Sequence, residues 1–96
     1  MIKVVASNFV QEKNRVQYLE LVKELVKLTK ANDQGCLKYE LFEDNENPNL
    51  LTFIEEWESK KALDEHLNSK HFKRIVPLLH SFLTKEGTLN IYSKIL

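Results

Sequence analysis

The sequence predicts an α+β domain in which helices cover one face of an antiparallel β-sheet. Two observations lead to this prediction. The spacing of apolar residues switches between a period of two and a period of about 3.6, and turn-forming residues stand where it switches. The 96 residues contain no internal repeat and no low-complexity linker. We therefore expect residues 1–96 to form a single domain.

The first half of the chain predicts a strand, a long helix and a second strand. Apolar residues alternate loosely from Ile2 to Val10, and a broad apolar stripe at helical spacing runs from about Lys13 to Ala31. Asn32 to Gly35 ends this helix, and the alternation resumes from Cys36 to Glu43. The segment from Asp44 to Asn49 is dense in turn formers, so we expect it to join the second strand to a third as a hairpin.

The third strand and the helix after it bring several chemically active side chains together. Leu50 to Trp57 alternates, and one of its faces carries Leu51, Phe53, Glu55 and Trp57. Ser59 is a suitable N-cap for a helix that carries Leu63 and His66 on the same side. Asn68 to Lys70 then interrupts the helical pattern. If the helix folds over the strand, Glu55, Trp57 and His66 border one cavity.

The last third of the chain predicts a second helical stretch and a final strand. Helical spacing resumes from His71 to Leu83, and Pro77 inside it either starts a new turn or kinks the helix. Gly87 is expected to reset the chain before a strand from Thr88 to Leu96. The order strand, helix, strand, strand, helix, strand is the ferredoxin-like βαββαβ plan, with helices on one face of an antiparallel sheet.

The second face of this sheet is unusually apolar. A solvated face should be mostly polar, yet apolar side chains fall on both faces in any register; they include Val5, Phe9, Leu50, Ile54, Tyr92 and Leu96. A chain of this length also buries only about 60 to 65% of its unfolded surface. We therefore expect a homodimer in which the sheets of two subunits pack face to face.

Composition and charge argue against several kinds of partner. The 14 basic and 14 acidic side chains cancel and are scattered along the chain, which gives no electrostatic footprint for nucleic acid or a membrane surface. The single cysteine, Cys36, forms no internal disulfide, and no apolar run is long enough for a signal peptide or a transmembrane helix. We expect a cytoplasmic protein that binds neither nucleic acid nor membranes.

Two segments of the sequence resemble one family. EEWESKKALDEHLNSKHF resembles the signature of the antibiotic biosynthesis monooxygenase family, in which a Glu-x-Trp strand precedes a helix with a histidine and a Ser-x-His-Phe step. GCLKYELFEDNENP resembles that family's second strand and hairpin, and the similarity extends over nearly the whole chain. The resemblance implies a dimeric ferredoxin-like α/β barrel. It also implies cofactor-independent oxygenation of a quinol or phenolic substrate by dioxygen.

The resemblance assigns roles to particular residues. It makes His66 the base or proton relay, Asn8 the hydrogen-bond partner of the substrate oxygen, and Trp57 the apolar wall that aligns the substrate ring. We expect the substrate to be contacted as well by Glu55, Tyr39 and Phe72. For four of these residues there is a structural alternative, in which Trp57, Tyr39 and His66 pack in the core and Asn8 bonds to a turn.

The sequence contains no recognisable motif for binding a prosthetic group or a metal ion. Two glycines cannot build a GxGxxG or P-loop phosphate cradle. The three histidines are five and nine residues apart, whereas two ligands on one helix face are usually one turn apart. We therefore predict that no metal, flavin or nicotinamide is bound.

Two other functions remain open within the same fold. Haem-degrading relatives resemble this chain at Asn8, but they carry a second tryptophan where this chain has His66 and the iron ligand where it has Val76. That difference removes the axial ligand, so we predict that haem is not the physiological ligand, although His80 or His71 offers another imidazole. The third possibility is a dimeric binding or isomerase module without oxygen chemistry.

Overall fold

Four strands form one antiparallel sheet in the computed structural model, which describes residues 1–96. The strands are β1 (Ile2–Val10), β2 (Cys36–Glu43), β3 (Leu50–Trp57) and β4 (Leu83–Ser93), and their order across the sheet is β2–β3–β1–β4. Burial alternates residue by residue along β3, because only one face of the sheet is covered by helices. The first three strands have the predicted bounds.

Three helices cover the inner face of the sheet. They are α1 (Arg15–Asn32), which follows a single 3₁₀ turn, α2 (Lys60–Leu67) and α3 (Lys70–His80). The core between the sheet and the helices is formed by aliphatic and aromatic side chains, among them Val4, Val22, Leu25, Tyr39, Phe53, Trp57, Leu63 and Ile75. The predicted α+β class and the ferredoxin-like order of elements are confirmed.

Serine caps begin the two helices that follow β3. The Ser59 side chain accepts a hydrogen bond from the Ala62 amide at 3.1 Å, as the sequence predicts, and Ser69 accepts one from the Phe72 amide at 3.2 Å. A new helix therefore begins at Lys70. Pro77 lies inside α3, which ends three residues later at His80.

The last strand differs from its prediction. It begins at Leu83 and ends at Ser93, whereas the sequence pattern predicted Thr88 to Leu96. Gly87 does not reset the chain but lies within β4, where a Cβ would come within 2.3 Å of the Ser7 carbonyl oxygen. The glycine thus permits a close approach of two strands, at a point where the register of β1 and β4 shifts.

The apolar residues of the outer face are incompletely covered. Val5, Phe9, Leu50 and Ile54 are half-buried, and Tyr92 is exposed. Leu96 lies beyond the end of β4 and is fully exposed. None of the three helices combines the length and the hydropathy that crossing a membrane requires.

Candidate active site

A cavity of about 590 Å³ lies between the inner face of the sheet and the helices. Most of its lining residues are hydrophobic, and they come from all four strands and all three helices. Five of the six residues predicted for the site line this cavity: Asn8, Tyr39, Glu55, His66 and Phe72. The fold therefore brings together side chains that are up to 64 positions apart in the sequence.

Trp57 is the predicted site residue that does not line the cavity. Its side chain is completely buried, its ring centroid lies 4.6 Å from that of His66, and its Nε1 donates a hydrogen bond to Glu55 Oε1 at 3.0 Å. Trp57 therefore supports two lining residues from behind. The sequence predicted the correct face of β3 for this residue, and the structure places its side chain outside the cavity lining.

His66 is held on α2 among three aromatic rings. The ring centroids of Tyr39 and Phe72 lie 5.0 and 5.1 Å from that of His66, and Trp57 packs against it as well. His66 Nδ1 lies 2.6 Å from Asp33 Oδ2, whereas Nε2 is buried without a hydrogen-bond partner. Burial lowers the pKa of His66, and the neighbouring Asp33 carboxylate partly offsets this effect. The ring is therefore neutral near pH 7.

Asp33 and His71 complete a cluster that sequence reasoning missed. Asp33 follows the last residue of α1, and its Oδ2 also lies 2.9 Å from Nε2 of His71 on α3. The spacing of His66 and His71 was interpreted as if both were on one helix. They are on different helices, so a spacing of five residues still brings both onto one carboxylate. The interruption of the helical pattern at Asn68 to Lys70 was the signal in the sequence that His66 and His71 belong to different helices.

The same cluster is the group of side chains best suited to hold a metal ion. Asp33 Oδ2, His66 Nδ1 and His71 Nε2 all lie within 4.8 Å of one another. Ligands bound to zinc at about 2.0–2.1 Å stand roughly 3.3 Å apart in a tetrahedral site. Both nitrogens lie closer than that to the carboxylate oxygen, at 2.6 and 2.9 Å. The arrangement is therefore a hydrogen-bonded cluster, which would have to widen to accept an ion.

Glu55 brings a second titratable side chain to the cavity. Only 6% of this residue is exposed, and burial raises the pKa of its carboxyl to about 7, an effect partly offset by the hydrogen bond from Trp57. Near neutral pH this group is therefore close to half protonated. Burial and the charge of Glu55 both raise the pKa of Tyr39, so its phenol stays neutral.

Asn8 is positioned by the close approach of β4. Its Oδ1 would lie 2.4 Å from a Cβ at position 87, so the side chain packs directly on the backbone of Gly87. Tyr18 on α1 also lines this part of the cavity. Burial raises the pKa of Tyr18 to about 12, and its interaction with the Asn8 side chain partly offsets this. The polar end of Asn8 thus lies at the cavity wall.

The fold and the cavity define a class: a ferredoxin-like α+β domain whose largely apolar pocket holds an imidazole and a carboxyl group. The sequence profile of the family described as "Antibiotic biosynthesis monooxygenase" matches residues 1–78. The chain belongs to this family. The family and the fold that the sequence predicted are both confirmed.

The chain is also similar to solved structures and to one longer sequence relative. A conserved protein from Methanosarcina mazei Go1 is 40% identical with a TM-score of 0.93, over 98% of this chain and 92% of that one. A protein described as an antibiotic biosynthesis monooxygenase is 36% identical with a TM-score of 0.93, and the match covers all of both chains. The protein sll1783 of Synechocystis sp. is 28% identical over 90 residues, which are 93% of this chain but 60% of that protein's length.

Proposed function

We propose that this protein is a cofactor-independent monooxygenase that oxidises a quinol or another electron-rich phenol with dioxygen. The observation that carries the proposal is that His66 lines a largely apolar cavity and that its Nε2 is buried without a hydrogen-bond partner. A neutral imidazole with a free lone pair is well suited to remove a phenolic proton. The cavity volume of about 590 Å³ falls within the usual range for small-molecule sites.

The proposed reaction balances without an external reductant. His66 takes the hydroxyl proton, and the substrate anion transfers one electron to dioxygen. The resulting substrate radical and superoxide combine at a ring carbon to give a peroxide. His66 returns its proton to the peroxide. The O–O bond and the C–H bond of the same ring carbon then break, so that one oxygen atom stays on the carbon as a carbonyl and the other leaves as water with the proton from that carbon. The substrate is oxidised, and dioxygen is reduced to the new substituent and water.

Other cavity residues have supporting roles in this proposal. Asn8 donates a hydrogen bond to the substrate oxygen, and the protonated form of Glu55 can do the same for a second oxygen. Tyr39 and Phe72 contact the faces of the substrate ring. Trp57 holds Glu55 and His66 in place from behind. Because the substrate supplies the electrons, the reaction needs no flavin, metal or nicotinamide.

Oxygen consumption over a panel of quinols and phenols tests the proposal. We expect turnover faster than autoxidation with purified protein and no added cofactor, and incorporation of one atom of ¹⁸O from ¹⁸O₂ into the product. A panel without a substrate oxidised above its uncatalysed background would contradict the proposal. A sharp Soret band with added haem, lost in His80→Ala, would favour the haem-binding alternative.

A second candidate function is supported by the pairing of two proton-transfer groups. His66 and Glu55 line one cavity, and a base combined with a protonated carboxyl can move a proton within an enolisable substrate. This would be an isomerase without oxygen chemistry. Anaerobic incubation distinguishes the two functions, because isomerisation continues without dioxygen and the monooxygenase reaction stops.

The working unit in this proposal is a homodimer. The outer face of the sheet carries half-buried apolar residues, including Phe9 and Ile54, that no other element of the chain covers. A second copy of the same sheet would cover them with a self-complementary surface. The cytoplasm remains the predicted location of the protein.

A further inference from the structure

The hydrogen bonds of Asp33 determine where the protons of two histidines lie. Its Oδ2 lies 2.6 Å from His66 Nδ1 and 2.9 Å from His71 Nε2. An ionised carboxylate has no hydrogen to donate, so both nitrogens must be the donors. A neutral imidazole carries one N–H only. If Nδ1 of His66 carries that hydrogen, Nε2 must carry the lone pair.

We propose that Asp33 is a positioning residue that holds the proton of His66 on Nδ1 and so leaves the lone pair on Nε2, which makes Nε2 the base. This inference rests on the proposed function, because a base at Nε2 is useful only if a substrate proton is removed there. The opposite tautomer would place an N–H, with no acceptor, at the buried Nε2 and two lone pairs between Nδ1 and Asp33. Both arrangements are unfavourable.

The backbone around Asp33 fixes its distance from α2. The Asp33 amide donates to the Thr29 carbonyl oxygen at 3.0 Å, which ends α1. Two residues later, Gly35 has a φ of 79° and lies so close to α2 that a Cβ would come within 2.6 Å of the Ala62 Cβ. Ala62 is one helical turn before His66. The turn that carries Asp33 therefore packs on the face of α2 that presents His66.

His71 provides a second anchor for the carboxylate. It approaches from α3, so Asp33 is held between two helices and its side chain is only 8% exposed. Two donors on one oxygen reduce its freedom to rotate away from His66. We therefore assign His71 a smaller role than Asp33: it orients the carboxylate, and the carboxylate orients His66.

The decisive experiment is a ¹⁵N NMR measurement of the histidine tautomers in the unmodified protein. Two-bond correlations from the ring carbons' protons distinguish a protonated Nδ1 from a protonated Nε2, and loss of one set in His66→Gln assigns its signals. We expect the Nδ1–H form for His66 at neutral pH. A predominant Nε2–H form would overturn the inference, and this result needs no variant of Asp33 to fold.

Variants of Asp33 test whether the carboxylate is the cause. Asp33→Asn keeps the size of the side chain, but its amide can donate to Nδ1, so we expect the His66 tautomer to shift towards Nε2–H. If the unmodified protein catalyses the proposed oxidation, the kcat of Asp33→Asn should be about 10²- to 10⁴-fold lower, with little change in KM, as expected when a base is in the wrong tautomer. Asp33→Glu should restore part of the original tautomer and of the rate. An unchanged tautomer in a folded Asp33→Asn protein would overturn the inference.

His71→Leu is the matched control, because it removes the other partner of the same oxygen. We expect His66 to keep its Nδ1–H form and the rate to fall less than tenfold. A complete tautomer shift in this variant would contradict the leading role of Asp33. The tautomer is measured without substrate, so a protein with the expected tautomer but no oxygenase activity would refute only the proposed function.

Discussion

The two ends of the cavity are built differently. Next to β2 and β3, the rings of Tyr39, Trp57 and His66 lie 4.6 to 6.1 Å apart, and all three residues are buried. At β4, which pairs only with β1 at the edge of the sheet, Leu89 and Ile91 are 64% and 47% exposed although they line the cavity. The titratable side chains His66 and Glu55 thus lie where the chain covers itself, and the open end is available for substrate entry or for contact with another subunit.

The largest effect should come from removing the base at the closed end. We expect His66→Ala, and the less disruptive His66→Gln, to lose about 10²- to 10⁴-fold in rate, the usual contribution of a general base. The control is His80→Ala, since His80 also lines the cavity but is exposed, and here we expect less than a tenfold loss. Equal losses in the two variants would remove the distinction between the two ends.

The same base predicts a pH dependence of the rate. Burial lowers the pKa of His66, so the ring stays neutral below its ordinary titration range near pH 6.5. Activity that depends on the neutral ring should persist to below about pH 6.5 and then fall as the ring is protonated. Glu55, Asp33 and His71 are the other titratable groups around the ring. The pH profile of the rate is therefore also measured for Glu55→Gln, which separates the contribution of the Glu55 carboxyl from that of His66.

A charge on the outer face of the sheet should impair assembly. Ile54→Lys or Phe9→Lys would bury an unpaired ammonium group in the proposed interface. We expect the dimer dissociation constant to rise by a factor of at least about 10², measured by sedimentation at micromolar concentrations. Val16→Lys is the control, because Val16 is 73% exposed on α1. A stable, folded monomer of the unmodified protein would refute the dimer.

Gly87 lies on β4, at the open end of the cavity, and its backbone packs against the Asn8 side chain. In Gly87→Ala the added Cβ meets the Ser7 carbonyl oxygen at 2.3 Å and Asn8 Oδ1 at 2.4 Å, so backbone and side chain must both move. We expect a loss of about 1–3 kcal/mol in the free energy of unfolding, the usual cost of overpacking. Lys27→Ala on α1 is exposed and should change stability by less than about 0.5 kcal/mol. Urea denaturation measures both.

Much of the fold was predictable because its signals are local. Alternation gave β1, β2 and β3 their bounds, and Ser59 marked the start of α2. The start of β4 was not predictable in this way, because a glycine that ends a strand and one that admits a neighbouring strand look alike in the sequence. Only the position of Ser7 and Asn8 distinguishes them.

The candidate site was predicted less completely, because its key contacts join distant parts of the chain. Asp33 is 33 residues from His66, and a single acidic residue at the end of a helix gives no signal of such a contact. The sequence likewise gave no signal that Trp57 is fully buried and does not line the cavity. A period of two identifies the face of a strand, but it does not show that His66 and Glu55 come between a residue on that face and the cavity.

A further prediction concerns Glu55 and the stability of the closed end. Its pKa is raised from 4.5 to about 7 in the folded protein, so between these values the native state binds more protons than the unfolded state. Stability must therefore fall as the pH rises through this range. Glu55→Gln carries no charge and can still accept the hydrogen bond from Trp57. We expect its stability relative to the unmodified protein to increase by on the order of 2 kcal/mol between pH 5 and pH 8. Urea denaturation at several pH values measures this difference, and Glu65→Gln, at an exposed position of α2, is the control. A constant difference across this range would mean that Glu55 is already ionised in the folded protein at pH 5. In that case the closed end would hold a permanent negative charge, and a neutral phenol would be a poorer ligand for it than a cation.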